Sequence, residues 1–262
     1  MALLRQIRHN DIVELQLARA DKRNAMSFAM MRELLAAGRD LRRDRTLRAV
    51  ILSGQGESFC AGIDLADLAD RRNRLFGVWE LIRPGQSLFQ QACLIWRRLP
   101  VPVIAALHGH CFGAGMQLAL GADIRIAHPA TQLSIMEGRW GLVPDMGLSE
   151  SLRGLLSADV AKDLCFSARI IDGEQARSLG LVTQVADDPL AAAQQLTAEY
   201  AQRSPDAIHA AKQVVQAISE RSPNRSLALE KRWQLKLMLG RNFAIARQRA
   251  KQPETPFLPR QY

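Results

Sequence analysis

The sequence predicts an α/β fold with a mixed, largely parallel sheet, and three observations lead to it. The chain has 262 residues, 48% hydrophobic and 23% charged, a composition typical of globular rather than disordered proteins. Short continuous apolar runs end in glycine turns, as buried strands do. Segments with helical spacing separate these runs, so consecutive strands need crossover connections.

In the first half of the chain, strands and helices are expected to alternate. Val13, Leu15 and Leu17 alternate with polar residues, which predicts a half-exposed strand. A helix is expected from Phe28, because Ser27 offers an N-cap and apolar residues then recur at helical spacing. The segment 68–91 is expected to be irregular and to supply pocket walls. Further strands are expected at 49–52, 102–107, 124–126 and 133–135.

After Pro144 the chain becomes mainly helical, with a last short strand expected at 181–185. Helices are expected at 148–156, 160–166, 173–179, 189–202, 206–218 and 226–250. The last helix carries several apolar residues, among them Trp233 and Phe243, between its basic ones. So much apolar surface on a terminal element indicates burial against another subunit.

The charge of the chain is uneven. Lys plus Arg total 35 and Asp plus Glu total 26, for a formal net charge of +9. Ten basic residues lie from Arg221 onward, against only Glu230 and Glu254. A basic helix can bind phosphate groups of nucleic acid or of a phosphorylated cofactor, although a solvated helix face is the commoner explanation. Charge alone does not decide between a phosphate-binding helix and a solvated one.

Nothing in the sequence favours a membrane-spanning, secreted or metal-binding protein. The uncharged stretch 99–122 is interrupted by prolines and histidines and reads as buried core. The first residues lack the pattern of a secretory signal, so a cytoplasmic protein is expected. The four cysteines are widely spaced, without a CxxC pair, and are expected to be reduced core thiols. His108 and His110 lack further ligands nearby and are expected in core or loop.

Two glycine turns, 58–64 and 108–117, carry the first indication of chemistry. Small residues let the backbone approach a ligand closely, and amides at a helix start point outward. Two such amides aimed at one carbonyl oxygen form an oxyanion hole. Either turn alone is weak evidence, since most glycine turns after strands are only turns. The presence of both turns in one chain is stronger evidence for an oxyanion hole than either turn alone.

Five blocks of sequence, in matching order, resemble the crotonase (enoyl-CoA hydratase/isomerase) superfamily over nearly the whole chain. The blocks are ADKRNAM at 20–26, FCAGIDL at 59–65, the turn at 109–117, WGLVPD at 140–145 and ARSLGLV at 176–182. In site pattern the chain is most similar to the dienoyl-CoA isomerases of that superfamily. The resemblance implies a spiral of ββα turns over 1–200 and a helical trimerisation region over 201–262. It also implies acyl-CoA substrates, a homotrimer or hexamer, and no metal or redox cofactor.

The resemblance also implies roles for individual residues. The thioester oxygen would be held by the amides of Ile63 and Ala114. Lys22 and Arg23 would lie near the CoA phosphates, and the backbone of Ala61 near the adenine. The same blocks imply further substrate-binding positions at Ala25, Gly62, Asp64, Leu65, Gly113, Gln117 and Trp140. From the residues alone, Asp64 is equally a helix cap and Trp140 a core or wall residue.

The carboxylates favour one reaction of the superfamily over another. Hydratases carry two glutamates, at positions matched here by Gln117 and Glu137, and an amide cannot transfer a proton as a carboxylate does. Dienoyl-CoA isomerases add an aspartate at the position of Asp145, although they usually also have an acidic residue where Gln117 stands. We therefore expect double-bond isomerisation, with Glu137 as the principal base and Asp145 as its acid partner.

Other interpretations stay open at this point. The alternative reaction is hydration of a 2-enoyl-CoA by Glu137, with Gln117 only orienting the water. Alternatives of another class are RNA binding through the basic C-terminal helix and a non-catalytic CoA-binding homologue. Locally, Glu137 is also a candidate for a surface ion pair with Arg139, and Asp145 for the N-cap of the next helix.

Overall fold

A six-stranded sheet lies at the centre of the computed structural model, which describes residues 2–262. Its strands are β1 (Leu4–His9), β2 (Ile12–Leu17), β3 (Ala49–Gly54), β4 (Val103–Leu107), β6 (Ile124–Ala127) and β8 (Gln184–Val185), with β5 (His110–Phe112) and β7 (Gln132–Ser134) forming a small second sheet. The spatial order of the large sheet is β1-β2-β3-β4-β6-β8. Only β1 and β2 pair antiparallel, which confirms the mixed, largely parallel sheet.

Helices connect the strands and make up most of the second half of the chain. They are α1 (Phe28–Arg43), α2 (Leu65–Ala69), α3 (Arg71–Ile82), α4 (Leu88–Leu94), α5 (Ala114–Leu120), α6 (Leu148–Ser151), α7 (Ala158–Ser167), α8 (Gly173–Ser178), α9 (Pro189–Ala201), α10 (Pro205–Glu220), α11 (Pro223–Leu239) and α12 (Arg241–Gln248). Short 3-10 helices lie at Ala20–Lys22, Trp96–Arg98 and Glu137–Trp140. The start of α1 is as predicted, because the Ser27 hydroxyl accepts the Met30 amide at 3.1 Å.

Several predicted helices differ in extent. The helix expected over 226–250 is two helices, because Gly240 adopts an extended conformation between α11 and α12. The helix expected over 148–156 ends at Ser151, and Gly154 follows with a φ of +75° that no continuing helix allows. The segment 68–91, expected to be irregular, contains the whole of α3.

The strands at the two edges of the sheet also differ from expectation. The edge strand β1 was not predicted, since most of its residues are exposed and no apolar face stands out. The strand expected over 181–185 is reduced to β8. The first two residues of the predicted strand are not part of β8. The amides of Leu181 and Val182 donate instead to the carbonyl of Ala176 in the last turn of α8, at 2.8 and 3.2 Å.

The large sheet is covered on both faces. On one face Ile51, Ile104 and Ile126 pack with Ala193 of α9. The other face belongs to the main core, which includes Phe28 of α1 and the apolar side chains of β2, α4 and α5. Burial on both faces explains why β3 and β4 read as continuous apolar runs. This arrangement fixes the ends of the strands, where the two glycine turns begin.

The helices after residue 201 are connected to the rest of the chain through its last residues. The Gln261 amide donates to the buried Asp206 carboxylate of α10 at 2.7 Å. The Arg260 amide donates to the Arg45 carbonyl, next to the end of α1, at 3.0 Å. The terminal segment therefore joins the helical region to the sheet-containing part of the molecule.

Candidate active site

A cavity of about 510 Å³ lies between the two glycine turns, α3 and the segment 136–146. Predicted site residues border it at Ala61, Gly62, Ile63, Leu65, Gly113, Ala114, Glu137, Trp140 and Asp145. A second cavity of about 590 Å³, beside α10, contains none of the predicted site residues. The sequence blocks at 59–65, 109–117 and 140–145, far apart in the chain, thus meet around one space.

The two glycine turns run side by side. The Cys60 amide donates to the His110 carbonyl at 2.9 Å, and the Phe112 amide donates to the Cys60 carbonyl at 3.0 Å. Cys60 and Cys111 form a parallel bridge, so Ile63 and Ala114 lie the same number of residues beyond it. Neither the Ile63 nor the Ala114 amide donates to a protein acceptor within residues 2–262. The turns therefore bring two unpaired amides to the same end of the cavity.

The glycines that precede these amides are required by the geometry. Gly62 has a φ of +110° and Gly113 a φ of +47°, in the region that L side chains rarely adopt. A Cβ on Gly62 would lie 3.3 Å from the Phe112 carbonyl oxygen, and one on Gly113 would lie 3.4 Å from Glu137 Oε1. Glycine thus lets the two turns and Glu137 approach one another closely.

Glu137 begins the 3-10 helix Glu137–Trp140 and borders the cavity. Its Oε1 accepts the Gln117 side-chain amide at 2.6 Å, whereas its buried Oε2 has no partner among the described residues. Burial raises the pKa of the Glu137 carboxyl, and the nearby Asp145 carboxyl raises that pKa further. The ion pair with Arg139 that the sequence allowed does not form in the described part of the chain.

Asp145 borders the same cavity, and burial raises the pKa of its carboxyl as well. It does not cap the next helix, because α6 begins after Gly147 and has no side-chain cap. Two carboxyls with raised pKa values therefore share one cavity, which is the kind of arrangement that proton transfer requires.

Gln117 lies elsewhere than the resemblance implies. It is on α5, only 1% exposed, and is not among the residues that border the cavity. Its side chain donates to Glu137 Oε1, and its Oε1 accepts the Met146 amide at 2.8 Å. Gln117 therefore contacts the segments that carry the two carboxyls.

The block at 20–26 packs against the first glycine turn. The Ala61 amide donates to the Arg23 carbonyl at 3.0 Å, which places exposed Lys22 and Arg23 beside this turn. Asn24, which the sequence did not single out, is buried and donates to the Ser58 carbonyl at 2.7 Å. The Ala25 carbonyl accepts an Arg19 guanidinium N–H at 2.6 Å.

Asp64 has a local structural role. Its carboxylate caps α2 by accepting the Ala66 and Asp67 amides, and it forms a 2.8 Å ion pair with Arg19. Burial alone would raise the pKa of Asp64, but the hydrogen bonds from Arg19 and these amides lower it. Asp64 does not border the cavity, so these contacts match the capping interpretation.

Most of the cavity wall is apolar, and most of its residues were not individually predicted. Further wall residues are Phe28, Leu68, Gly77, Val78, Leu81, Phe89, Phe112, Met136, Leu142, Val143 and Met146, together with Arg74. Residues from α3 fall inside the segment 68–91, where pocket walls were expected. Phe28 and Phe89 come from core helices, and no signal in the sequence distinguishes them from other core aromatics.

Comparison with known proteins identifies the family. A family model described as enoyl-CoA hydratase/isomerase matches residues 8–245. The chain belongs to this family. The crotonase assignment made from the five sequence blocks is therefore confirmed, and the crotonase-type α/β fold agrees with the structural similarities below.

Relatives of this crotonase catalyse more than one reaction, to judge by their names. The mitochondrial Delta(3,5)-Delta(2,4)-dienoyl-CoA isomerase of Mus musculus is 32% identical over 237 residues, covering 87% of this chain and 72% of the isomerase. The mitochondrial methylglutaconyl-CoA hydratase of Mus musculus is 33% identical over 175 residues, covering 66% of this chain and 54% of the hydratase. The enoyl-CoA hydratase from Bacillus anthracis superposes with a TM-score of 0.89 at 26% identity, covering 98% and 99% of the two chains.

Residues 2–262 of this crotonase contain neither a cluster of metal ligands nor a membrane-spanning helix. Among residues 2–262 no three His, Cys, Asp or Glu side chains gather as a metal site would need. Cys60, Cys93 and Cys111 are free and buried. His110 Nδ1 lies 2.8 Å from the Ser58 hydroxyl. In the same range, no helix combines the length and apolarity that a bilayer span demands.

Proposed function

We propose that this crotonase-family protein shifts a double bond in an unsaturated acyl-CoA through an enolate. The observation that supports the proposal is one largely apolar cavity bordered by two unpaired amides and by two carboxyls whose pKa values are raised. The amides of Ile63 and Ala114 bind the thioester oxygen and stabilise the negative charge that develops on it. Such charge stabilisation makes neighbouring C–H bonds more acidic, which is what proton transfer by carboxyls needs.

In the proposed reaction the acyl chain loses a proton at one carbon and gains a proton at another, and its double bonds shift between these carbons. Glu137 removes a proton from a carbon of the acyl chain, and the C–H electrons form an enolate whose charge rests on the thioester oxygen. The double bonds then shift, and Asp145 donates a proton to a carbon farther along the chain, where a new C–H bond forms. Substrate and product have the same composition. Glu137 then loses its proton and Asp145 regains one, which returns both carboxyls to their starting states.

The cavity favours a hydrocarbon acyl group. Apart from Glu137, Asp145 and Arg74, the side chains that border it are apolar. Exposed Lys22 and Arg23, beside the first glycine turn, are suited to the phosphates of the CoA moiety. The chemistry uses only amides and carboxyls, so we propose no metal or redox cofactor.

Hydration of a 2-enoyl-CoA is the second candidate, which similarity to a methylglutaconyl-CoA hydratase favours. In that reaction Glu137 would deliver the water and Gln117 would orient it. Against this, both polar groups of the Gln117 side chain are already hydrogen-bonded and the residue does not border the cavity. We therefore propose isomerisation first.

We also propose that residues 201–262 form an oligomerisation region of a homotrimer or of a hexamer made of two trimers. Helix α11 exposes large apolar side chains that the rest of the chain does not cover, including Leu235, Met238 and Leu239. A soluble protein seldom leaves such a surface in contact with water.

The two reactions are separated by incubating the protein with 3,5-dienoyl-CoA and with 2-enoyl-CoA and following their ultraviolet bands. We expect the dienoyl substrate to convert and the 2-enoyl band to persist. Rapid hydration without dienoyl conversion would reject isomerisation. No turnover of either thioester, with CoA still bound, would favour a non-catalytic CoA-binding protein. Salt-dependent RNA binding that CoA does not compete away would favour the nucleic-acid alternative.

A further inference from the structure

We propose that Gln117 is a positioning residue that holds Glu137 as the proton-accepting carboxyl and aligns it with the segment of Asp145. This inference rests on the proposed function, and it concerns a side chain that does not itself border the cavity. It is carried by the contacts of Gln117 with Glu137 and Met146.

Gln117 spans the two segments that carry the carboxyls. Its Nε2 donates to Glu137 Oε1 at 2.6 Å, and its Oε1 accepts the amide of Met146, the residue after Asp145, at 2.8 Å. The first turn of α5, where Gln117 lies, packs closely on the first glycine turn, because a Cβ added at Gly115 would lie 2.6 Å from Cys60. The side chain is thus held at its base and bonded at both polar atoms.

The contact with Gln117 leaves the two oxygens of Glu137 unequal. Oε1 is occupied by the Gln117 amide, whereas Oε2 has no partner among the described residues. A donor to a carboxylate stabilises its charged form. Asp145 receives no hydrogen bond from the Gln117 side chain, so Gln117 favours the negative charge on Glu137 rather than on Asp145.

The amide of Gln117 has a property that a carboxylate would lack, since it donates and accepts at once. A glutamate at this position would accept the Met146 amide but offer no N–H to Glu137. Two carboxyls at such a distance share one proton, because both cannot ionise together. The charged form of Glu137 would then be disfavoured, and Glu137 would remove a proton from the substrate only at a higher pH.

Other ionisable groups near Glu137 do not provide this selection. Asp145 borders the same cavity, Cys93 lies near it on α4 and Cys165 lies near it on α7. Both thiols stay protonated, since burial raises their pKa values. Arg74 borders the same cavity on α3 without an ion pair in the described part of the chain.

The test measures Glu137 directly, through the infrared carboxyl band of the free protein at a series of pH values. The band is assigned by its loss in Glu137→Gln. In Gln117→Met, which removes the donor but keeps the volume, we expect the titration of Glu137 to move upward by about 1 to 2 pH units. In Gln117→Glu we expect a larger upward movement. The acidic limb of the kcat/KM profile should move in parallel, with KM little changed.

A matched control is Gln216→Met on α10, which removes an amide hydrogen bond to the Arg97 carbonyl far from the cavity. It should leave the Glu137 titration unchanged. Titrations of Gln117→Met and Gln117→Glu that superimpose on the unmodified protein would overturn the inference. If Gln117→Met does not fold, Gln117→Glu still decides, because it keeps an acceptor for Met146. A protein that isomerises nothing yet shows these band shifts would refute the proposed function and not the positioning role.

Discussion

Asp145, the second carboxyl at the cavity, forms no ion pair with any residue in the range 2–262. Partial desolvation raises the pKa of this carboxyl, so it keeps its proton to a higher pH than a fully solvated aspartate does. An acid that must donate a proton is active below its pKa. The proton-returning step should therefore weaken as pH rises through the raised pKa of Asp145.

Asp145→Asn removes this proton and should lower kcat for dienoyl-CoA isomerisation by about 10²- to 10⁴-fold, the usual contribution of a general acid. KM should change little, since an asparagine has nearly the same size and polarity. Steady-state kinetics with 3,5-dienoyl-CoA makes the measurement. Asp187→Asn, an exposed aspartate beyond β8, serves as the control. Full activity in Asp145→Asn would remove Asp145 from the mechanism.

At the scale of single residues, the sequence predicted which residues would lie together but not the direction in which each side chain points. Glu137 and Asp145 were predicted to share a site, and the structure places both at one cavity. Gln117 was predicted to contact substrate, but it lies behind two residues of the cavity wall, Glu137 and Met146, and does not border the cavity itself. All seven residues of α5 are buried, so no polar face of this helix indicates which way Gln117 points.

At the scale of elements, the two glycine turns determine the geometry of the proposed oxyanion hole. Gly62→Ala places a side chain in a backbone conformation with φ of +110° and brings its Cβ to 3.3 Å from the Phe112 carbonyl. We expect kcat to fall by about 10²- to 10³-fold as the Ile63 amide moves. Stability should fall by about 1 to 3 kcal/mol from the backbone strain.

Gly85→Ala separates these two effects. Gly85 has a φ of +87°, but an added Cβ meets nothing within 4 Å. Its substitution should therefore lower stability by a similar amount and leave kcat unchanged, as measured by denaturant unfolding and initial rates. Equal losses of activity in both variants would show that backbone strain anywhere impairs the protein, and that the turn has no special role.

Elements were predicted where one local signal dominates. Helix α1 starts at a serine cap and has a clear apolar face, and its start at Phe28 was found. Helix α3 was not predicted because its apolar residues are not confined to one face. Leu75, Trp79 and Ile82 are exposed and do not border the cavity, whereas other apolar residues of the helix do. The break at Gly240 was missed because apolar and basic residues continue without a proline or a polar cluster.

At the scale of the whole molecule, the exposed apolar side chains of α11 predict self-association. Leu239 is 78% exposed on this helix. Leu239→Glu places a charge in the proposed interface and should shift the protein toward monomers in analytical ultracentrifugation. Ala191→Glu adds the same charge at an exposed position of α9, outside residues 201–262, and should leave the assembly intact. A monomeric unmodified protein would contradict the proposed oligomerisation region.

The meeting of the two glycine turns has a consequence for how new activities arise on this scaffold. The donors proposed for the thioester oxygen belong to the main chain at 63 and 114, so no replacement other than proline removes them outright. The two carboxyls proposed to move protons, by contrast, are side chains at 137 and 145, and the side chain at 117 positions the first of them. Laboratory evolution can therefore vary these three positions in combination and search for different reactions of CoA esters, while the anchoring of the ester stays constant.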